Sequence, residues 1–469
     1  MTLIELGEVS RSSAVEPPAR PVHPHELRRL LIIVVALLTV VSVTGSVRPE
    51  PRSMRTLWRI PASPEPFTVH GDTLYVQKTG MTPGVDAHAM ADGRLLWTYW
   101  SKSPVGYVNA DIPGLALVPE TAQLADGSEP VQSVIALDAA SGRERWRHDG
   151  ELYGYAAGKA LLVEWGTRAG AILRMHVIRT VDGSDVWSYQ PPENDPVSTL
   201  TLAGGTPAEP TDVIVVGRTG ATQVRTLADG VLVRSDRLPW LSPDAGNDAY
   251  AYAPALGDVL LMVAVEKGAM RISAHDRTTL RQLWTDTITG TRLGGLFECG
   301  GLLCRGSEQV GVDALDPRTG RARWHSTGWD YGHPLGGNRM FVESQSGNGN
   351  GIVDMRTGQW ISHFPIGTTV LDPAGDRLLL LAASRSTVPR MTVNDLRPDN
   401  TLRLAGALPP TGEQGCQLSG SRLVCLFPRD RPAPAPPQPQ VAKQPEDPAL
   451  GGMLPNDPRD QEIVVTDVG

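Results

Sequence analysis

The sequence predicts an all-β fold in which small antiparallel sheets repeat along the chain. The first observation is a near-duplication, because "ALDAASGRERW" begins at Ala136 and "ALDPRTGRARW" begins at Ala314. The second is that weaker copies of this stretch recur at intervals of 38 to 50 residues. The third is a shorter, glycine-led turn signal between successive copies. Since repeats of this period are typical of stacked or radial sheet arrays, the fold expected is a β-propeller.

The N-terminal part of the chain differs from the rest. We expect residues 1–29 to be a short, disordered cytoplasmic N-terminus. Residues 30–47, "LLIIVVALLTVVSVTGSV", carry no charge and lie between Arg29 and Arg48. As a helix this run would extend about 27 Å, close to the hydrocarbon thickness of a bilayer. We expect a single uncleaved transmembrane signal anchor, with a cleavable signal peptide and a buried core helix as the alternatives.

The repeats occupy residues 54–428, which we expect to form the folded, extracytoplasmic domain. A glycine or its replacement stands at the turn of each of eight copies. These turn positions are Gly93, Gly142, Gly183, Gly230, Leu280, Gly320, Gly358 and Asn400. In five copies a tryptophan follows four residues later: Trp97, Trp146, Trp187, Trp284 and Trp324. We expect these indoles to pack between adjacent sheets as structural residues.

A second turn signal divides each repeat. It is a glycine followed by a small or polar residue and an apolar run, as in "GDTLYV" at Gly71 and "GNRMFV" at Gly337. Two turns per repeat describe four short antiparallel strands. Because one such sheet cannot bury both of its faces, neighbouring copies must stack. Eight copies predict eight blades, within a range of seven to nine. The strand around Trp58 and the hairpin "CQLSGSRLVC" are expected to pair and close the ring.

The two strongest copies also carry a resemblance. "ALDAASGRERW" and "ALDPRTGRARW" are similar to the A-x-D-x-x-T-G-x-x-x-W tryptophan-docking motif of pyrroloquinoline-quinone-type (quinoprotein-like) β-propeller repeats. That family includes the quinoprotein alcohol dehydrogenases and the lipoprotein of the bacterial outer-membrane barrel-assembly machinery, which lacks the cofactor. The resemblance implies a quinoprotein-like propeller, and the chain is most similar to the non-enzymatic branch. Arg234 and Ser362 stand where the motif has tryptophan.

The cysteines form two closely spaced pairs, Cys299 with Cys304 and Cys416 with Cys425. With two-residue turns at positions 301–302 and 420–421, each pair lies directly opposite across a hairpin, where a disulfide fits. Four unpaired buried cysteines and a metal site are the alternatives, although the spacing is not that of a zinc ribbon. Disulfides indicate an oxidising compartment, so we expect the domain outside the cell membrane and the N-terminus in the cytoplasm.

The C-terminal segment 429–469 is rich in proline and polar residues and poor in apolar ones. Such a composition cannot build a core. We therefore predict a disordered, proline-rich tail.

The sequence provides no recognisable catalytic, cofactor or metal site. The net charge of −8 and the absence of a basic run argue against nucleic acid as a partner. The histidines are scattered and include no H-E-x-x-H, and neither C-x-x-C-H nor G-x-S-x-G occurs. Quinoprotein dehydrogenases have an adjacent Cys-Cys pair beside their cofactor, and this sequence has none.

These observations favour a membrane-anchored, extracytoplasmic propeller that binds a protein or peptide partner on one face and acts as a scaffold, without a cofactor. Two alternatives are a pyrroloquinoline-quinone-dependent oxidoreductase and a cell-wall or carbohydrate-binding sensor. In the last case, loop tryptophans such as Trp165, Trp240 and Trp329 would be candidate ligand platforms. The oligomeric state has no sequence signal.

Overall fold

The computed structural model describes residues 54–62, 66–79, 82–122, 131–166, 172–204, 209–240, 249–289, 293–307, 311–343, 349–372, 377–383, 390–409, 415–428 and 461–469. The expected N-terminus 1–29, the expected membrane anchor 30–47 and positions 429–460 of the expected tail lie outside the described residues. In the part of the chain that the structure describes, no helix combines the length and the apolar character that crossing a membrane requires.

The described strands group into successive antiparallel units. The first strand, β1 (Arg55–Ala62), belongs to the last unit. Unit 1 contains β2 (Phe67–His70), β3 (Thr73–Lys78), β4 (Gly84–Ala89) and β5 (Leu95–Trp100). Unit 2 contains β6 (Leu115–Ala122), β7 (Val131–Asp138) and β8 (Glu144–Asp149). Unit 3 contains β9 (Glu151–Ala156), β10 (Lys159–Trp165), β11 (Ile172–Arg179) and β12 (Asp185–Tyr189). Unit 4 contains β13 (Val197–Ala203), β14 (Asp212–Gly217), β15 (Ala221–Thr226) and β16 (Leu232–Arg237).

The second half of the chain continues the pattern. Unit 5 contains β17 (Tyr250–Tyr252), β18 (Ala255–Leu256), β19 (Val259–Glu266), β20 (Ala269–Asp276) and β21 (Gln282–Thr289). Unit 6 contains β22 (Leu293–Cys299), β23 (Leu302–Ser307), β24 (Gly311–Leu315) and β25 (Ala322–Ser326). Unit 7 contains β26 (Tyr331–Leu335), β27 (Arg339–Glu343), β28 (Asn350–Asp354) and β29 (Trp360–Phe364). Unit 8 contains β30 (Thr368–Leu371), β31 (Leu378–Ala383), β32 (Met391–Leu396) and β33 (Leu402–Leu408). Unit 9 joins β34 (Cys416–Ser419), β35 (Arg422–Pro428) and β36 (Gln461–Asp467) to β1.

The position of a strand within its unit determines its burial. The second strand of a unit is covered on both faces, and in β14 five of six residues are buried. The sequences of such strands are therefore continuous apolar runs. The last strand of a unit is far more exposed, and every residue of β16 is exposed. First strands of neighbouring units contact one another, as β2 does with β34 and β22 with β26. The first strands thus converge on the middle of the array, and the last strands form its rim.

Apolar clusters join each unit to the next. One cluster packs Val85 of unit 1 against Ile135 of unit 2, and another packs Phe341 of unit 7 against Leu380 of unit 8. Within the described residues there are nine units, and nine clusters each combine two successive units. The last cluster returns from unit 9 to unit 1. Because Ile172 of unit 3 pairs with Val197 of unit 4, these two units share one eight-stranded sheet, and the nine units form eight sheets. The unit count is one more than the eight blades predicted and lies within the range of seven to nine.

The ninth unit is built from both ends of the described chain. Its strand order is β1, β36, β35, β34, with β36 antiparallel to both β1 and β35. The strand around Trp58 and the cysteine hairpin therefore share one sheet, as expected, but they do not pair directly because β36 lies between them. The prediction of a disordered tail is wrong for Gln461–Asp467. The apolar core of this strand, Ile463, Val464 and Val465, is buried, and that burial offsets the polar composition of the segment before it.

Unit 2 is irregular at the centre of the array. In place of a first strand, residues 104–110 cross β6 with only two isolated bridges, Val105 to Glu120 and Asn109 to Leu117. Between these bridges, the Gly106 amide donates to the Pro119 carbonyl of β6 at 2.8 Å. The cavity described below lies beside this segment.

Candidate functional site

The motif tryptophans dock each unit onto the next. The indole nitrogen of Trp146 donates to the carbonyl of Thr180 at 2.8 Å, and Trp146 is 6% exposed. The other docking bonds, at 2.8–3.1 Å, are Trp97 to Ala139, Trp187 to Leu227, Trp284 to Pro317, Trp324 to Met355 and, from β1, Trp58 to Met90. The five predicted tryptophans therefore lie between adjacent units, and Trp58 is a sixth that the repeat count did not include.

Each docked indole lies on the turn glycine of the following unit. A Cβ atom on Gly183 would stand 2.7 Å from the ring of Trp146, and the φ of Gly183 is 70°. Only glycine satisfies both conditions without strain. Where the tryptophan is missing, the glycine of the next unit is missing too. Leu280 follows Arg234 and fills the space with a side chain that is 2% exposed, while the Ser362 hydroxyl donates to the carbonyl of Asn400 at 3.0 Å.

Each cysteine pair forms a disulfide within its own hairpin. Cys416 lies directly opposite Cys425, as predicted. In the other hairpin the turn is at Gly300 and Gly301, with φ of 66° and 79°, and Cys304 faces Phe297 instead of Cys299. The predicted turn was one residue too late. Two successive positive φ angles are the requirement of a type I′ turn, which the glycine pair meets.

The three loop tryptophans do not form a common platform. Trp329 is 2% exposed and donates to the Ser326 hydroxyl at 2.9 Å, so it is a core residue. Trp240 packs against the cluster between units 4 and 5. Trp165 is 37% exposed and donates to the Glu151 carboxylate at 2.6 Å. Glu151, the partner of Trp165, lines the cavity described next.

A cavity of about 630 Å³ lies beside the irregular segment of unit 2. Its lining comes from β2, from residues 106–111, from β6 and β7, and from the start of β9, so it spans the inner side of units 1 to 3. Val108, Leu117 and Leu152 supply apolar wall. Tyr107 also lines it and is 69% exposed. The cavity thus pairs an apolar wall with a solvent-facing aromatic ring, as binding sites commonly do.

Carboxylates supply the charge of this cavity. Asp111, Glu120 and Glu151 line it, and no lysine or arginine is among the described residues that do. Glu120 is 6% exposed and is held by Arg147, by Ser101 and by the Tyr99 hydroxyl. Burial, together with the charge of Glu120, raises the pKa of Tyr99 to about 12, so the phenol stays protonated and donates.

Two acceptors of the cavity remain free to bind a ligand. The Gln132 side-chain oxygen is buried and has no hydrogen-bond partner among the described residues. Such an orphaned acceptor costs free energy until a donor arrives. Glu151 has no salt-bridge partner in the described part of the chain and accepts only from the Trp165 indole. The site therefore offers acceptors and negative charge, and it suits a ligand rich in N–H donors. No sequence motif marks it, because its residues come from separate segments.

Comparison with known proteins gives one family. The chain matches the sequence model of outer membrane protein assembly factor BamB over residues 44–285. No curated protein matches it. BamB from Moraxella catarrhalis is a similar solved structure, with 18% identity, a TM-score of 0.41, and coverage of 75% of this chain and 99% of that one. A quinohemoprotein alcohol dehydrogenase from Comamonas testosteroni has 13% identity, a TM-score of 0.36, and coverage of 71% and 72%.

The family assignment rests on the sequence match, which spans more than half of the chain. It agrees with the tryptophan-docking repeats, which were identified independently from residues of the motif. The resemblance to quinoprotein-like propeller repeats is thereby confirmed, and the chain belongs to the family of outer membrane protein assembly factor BamB.

Proposed function

We propose that the chain is a membrane-anchored, extracytoplasmic scaffold that binds a protein partner at the cavity of units 1 to 3. Membership of the BamB family supports a partner within a protein assembly. The apolar run 30–47 supports an anchor, and the two disulfides support an oxidising compartment. We also propose that the nine described units form a nine-bladed ring, for which the cluster between units 9 and 1 is the support.

The observation that carries the binding role is the cavity itself. An exposed tyrosine at the edge of an apolar recess is the kind of anchor that protein interfaces favour. Tyr107 projects beside the recess, while Gln132 and Glu151 present unused acceptors within it. The recess lies beside residues 106–108 of unit 2, where isolated bridges at Val105 and Asn109 stand in place of a continuous first strand.

The chemistry of the cavity indicates the partner segment. Glu120 and Asp111 already have partners within the chain, in Arg147 and His70. An extended segment carrying arginine or lysine would supply donors to the Glu151 carboxylate and to the orphaned Gln132 oxygen. The apolar wall at Val108, Leu117 and Leu152 would receive the stem of such a side chain or an adjacent apolar residue. The proposal assigns binding and no reaction to the chain.

Site-specific photo-crosslinking in native membranes tests this proposal. A photoreactive phenylalanine replaces Tyr107 in one version of the full chain and Tyr250 in the other; Tyr250 is 55% exposed but belongs to unit 5. We expect a discrete protein adduct from position 107 only, and mass spectrometry should place its crosslinked peptide beside arginine or lysine. Glu151→Gln should reduce the yield at position 107 at least threefold.

Two results would contradict the proposal. Equal adduct patterns at positions 107 and 250 would show that the cavity has no special role. An adduct that contains glycan and no peptide would instead support the carbohydrate-binding alternative.

A further inference from the structure

Two histidines and an aspartate from different units meet on the face between units 2 and 3. His148 lies on β8 of unit 2, while His176 on β11 and Asp185 on β12 belong to unit 3. The His148 Nε2 and His176 Nδ1 atoms each lie 3.3 Å from Asp185 Oδ1. All three atoms lie within 4.8 Å of one another, and within the described residues this is the only such group of histidine, cysteine and carboxylate side chains.

Both imidazoles are already oriented by their other nitrogen. The His148 Nδ1 atom lies 2.7 Å from the Asp149 carbonyl oxygen, and the His176 Nε2 atom lies 2.7 Å from a Glu164 carboxylate oxygen. Because both partners are acceptors, each of these nitrogens carries the ring proton in the neutral imidazole. The lone pairs of the two remaining nitrogens then point at the same carboxylate oxygen. In this tautomer, the two remaining nitrogens and the carboxylate oxygen are three electron-pair donors that one cation can share.

We propose that His148, His176 and Asp185 bind a zinc ion that links unit 2 to unit 3, with a water molecule or a partner's side chain as the fourth ligand. Two imidazoles and a carboxylate are ligands that zinc accepts. Ligands at zinc bond lengths of about 2.0–2.1 Å in a tetrahedron are about 3.3 Å apart. The two nitrogen-to-oxygen distances already match this separation.

The surroundings of the triad agree with a metal site. The hydrogen bond from His176 to Glu164 is the carboxylate–histidine arrangement that commonly supports a metal ligand. The imidazoles are 15% and 11% exposed, whereas Asp185 is 59% exposed, so an ion can enter from solvent on the aspartate side. The supporting carboxylate of Glu164 also has a cationic neighbour, because the Arg174 Nη1 atom lies 3.9 Å from its Oε1 atom. All four cysteines are in disulfides and offer no competing thiolate.

Calorimetric titration of the full chain with zinc chloride tests the site, and cobalt absorption reports its coordination geometry. We expect one zinc ion per chain and a tetrahedral cobalt spectrum. His148→Gln and Asp185→Asn should each weaken zinc binding at least tenfold, and Glu164→Gln by roughly tenfold through loss of the supporting hydrogen bond. His325→Gln is the matched control, because His325 contacts Asp313 at 2.8 Å without belonging to such a triad. It should bind zinc as the natural chain does.

The proposal is overturned if the natural chain takes up no zinc, or if Asp185→Asn binds zinc as tightly as the natural chain. The second outcome would place the ion elsewhere, for example at His23 and His25 near the N-terminus. Because Asp185 is exposed, its substitution is the one least expected to disturb folding, and circular dichroism of each variant verifies this.

Discussion

At the scale of single residues, one pairing recurs at six of the nine interfaces between described units. The indole ring of one unit packs on a turn glycine of the next. The indole N–H donates a hydrogen bond to a backbone carbonyl beside that turn. The pairing is reciprocal, since a side chain at the turn would occupy the space of the ring. This explains why the chain loses both members together at Arg234 with Leu280 and at Ser362 with Asn400.

The glycine half of this pairing can be tested with a matched pair of substitutions. Gly183 and Gly158 have nearly equal φ of 70° and 73°, but a Cβ would meet the Trp146 ring only at Gly183. Gly158→Ala should lower the free energy of unfolding by about 1 kcal/mol through the left-handed backbone alone. Gly183→Ala adds overpacking and should cost about 2–4 kcal/mol in total. Equal losses in urea titrations would contradict the docking geometry.

A buried histidine predicts a pH dependence of stability. His275 is 1% exposed, and burial lowers its pKa below the usual 6.5. The unfolded chain therefore takes up a proton there before the folded chain does. Stability from this residue is complete above about pH 6.5 and falls as the pH drops through the folded pKa, by at most about 1.4 kcal/mol per pH unit. His275→Gln should flatten the dependence of the urea midpoint on pH between pH 7.5 and 5. An unchanged slope in this variant would contradict the contribution of His275.

At the scale of elements, the interface between units 4 and 5 shows how a repeat survives the loss of its motif. Leu280 enters the cluster where an indole from unit 4 would lie, and it does so with a φ of 57°. Its burial thus outweighs the backbone strain. Arg234 meanwhile stays exposed on β16, which is the last strand with the most exposed residues among those with a full burial record.

Restoring the tryptophan and the glycine at this interface should show that the two residues stabilise the chain jointly. Leu280→Gly alone removes a buried side chain and should cost about 2–4 kcal/mol. In that background, Arg234→Trp should recover stability, because the introduced indole can cover the new glycine. A double-mutant cycle from urea unfolding should give a favourable coupling of at least about 1 kcal/mol. Additive losses would mean that unit 4 cannot present a tryptophan to this turn.

At the scale of the whole molecule, the C-terminal strand joins the ends of the array. β36 completes a sheet with β1 on one side and β35 on the other, and its residues pack on both unit 8 and unit 1. This places unit 1 against unit 9 and fixes β2, which contributes Thr68 to the cavity. The proposed binding site therefore depends on a contact between residues separated by most of the chain.

The sequence predicts those parts of the structure that local patterns encode. The repeated turns, the five docking tryptophans and the disulfide of Cys416 with Cys425 follow from spacing within one or two hairpins. β36 has a short continuous apolar run, but it follows a proline-rich segment and carries half of a motif whose other half is at Trp58. No local pattern reveals such a split unit. The cavity and the histidine triad were missed for the same reason, because separate strands supply their residues.

Hydrogen exchange of residues 461–469 tests the central claim, that β36 closes the proposed ring. Backbone amides from Ile463 to Thr466 lie between two paired strands, so they should exchange as slowly as those of the central strand β20 in unit 5. Amides on the outer edge of β16 provide the faster comparison within the same sample. Exchange of the 463–466 amides within seconds, as in an unfolded peptide, would contradict the closure.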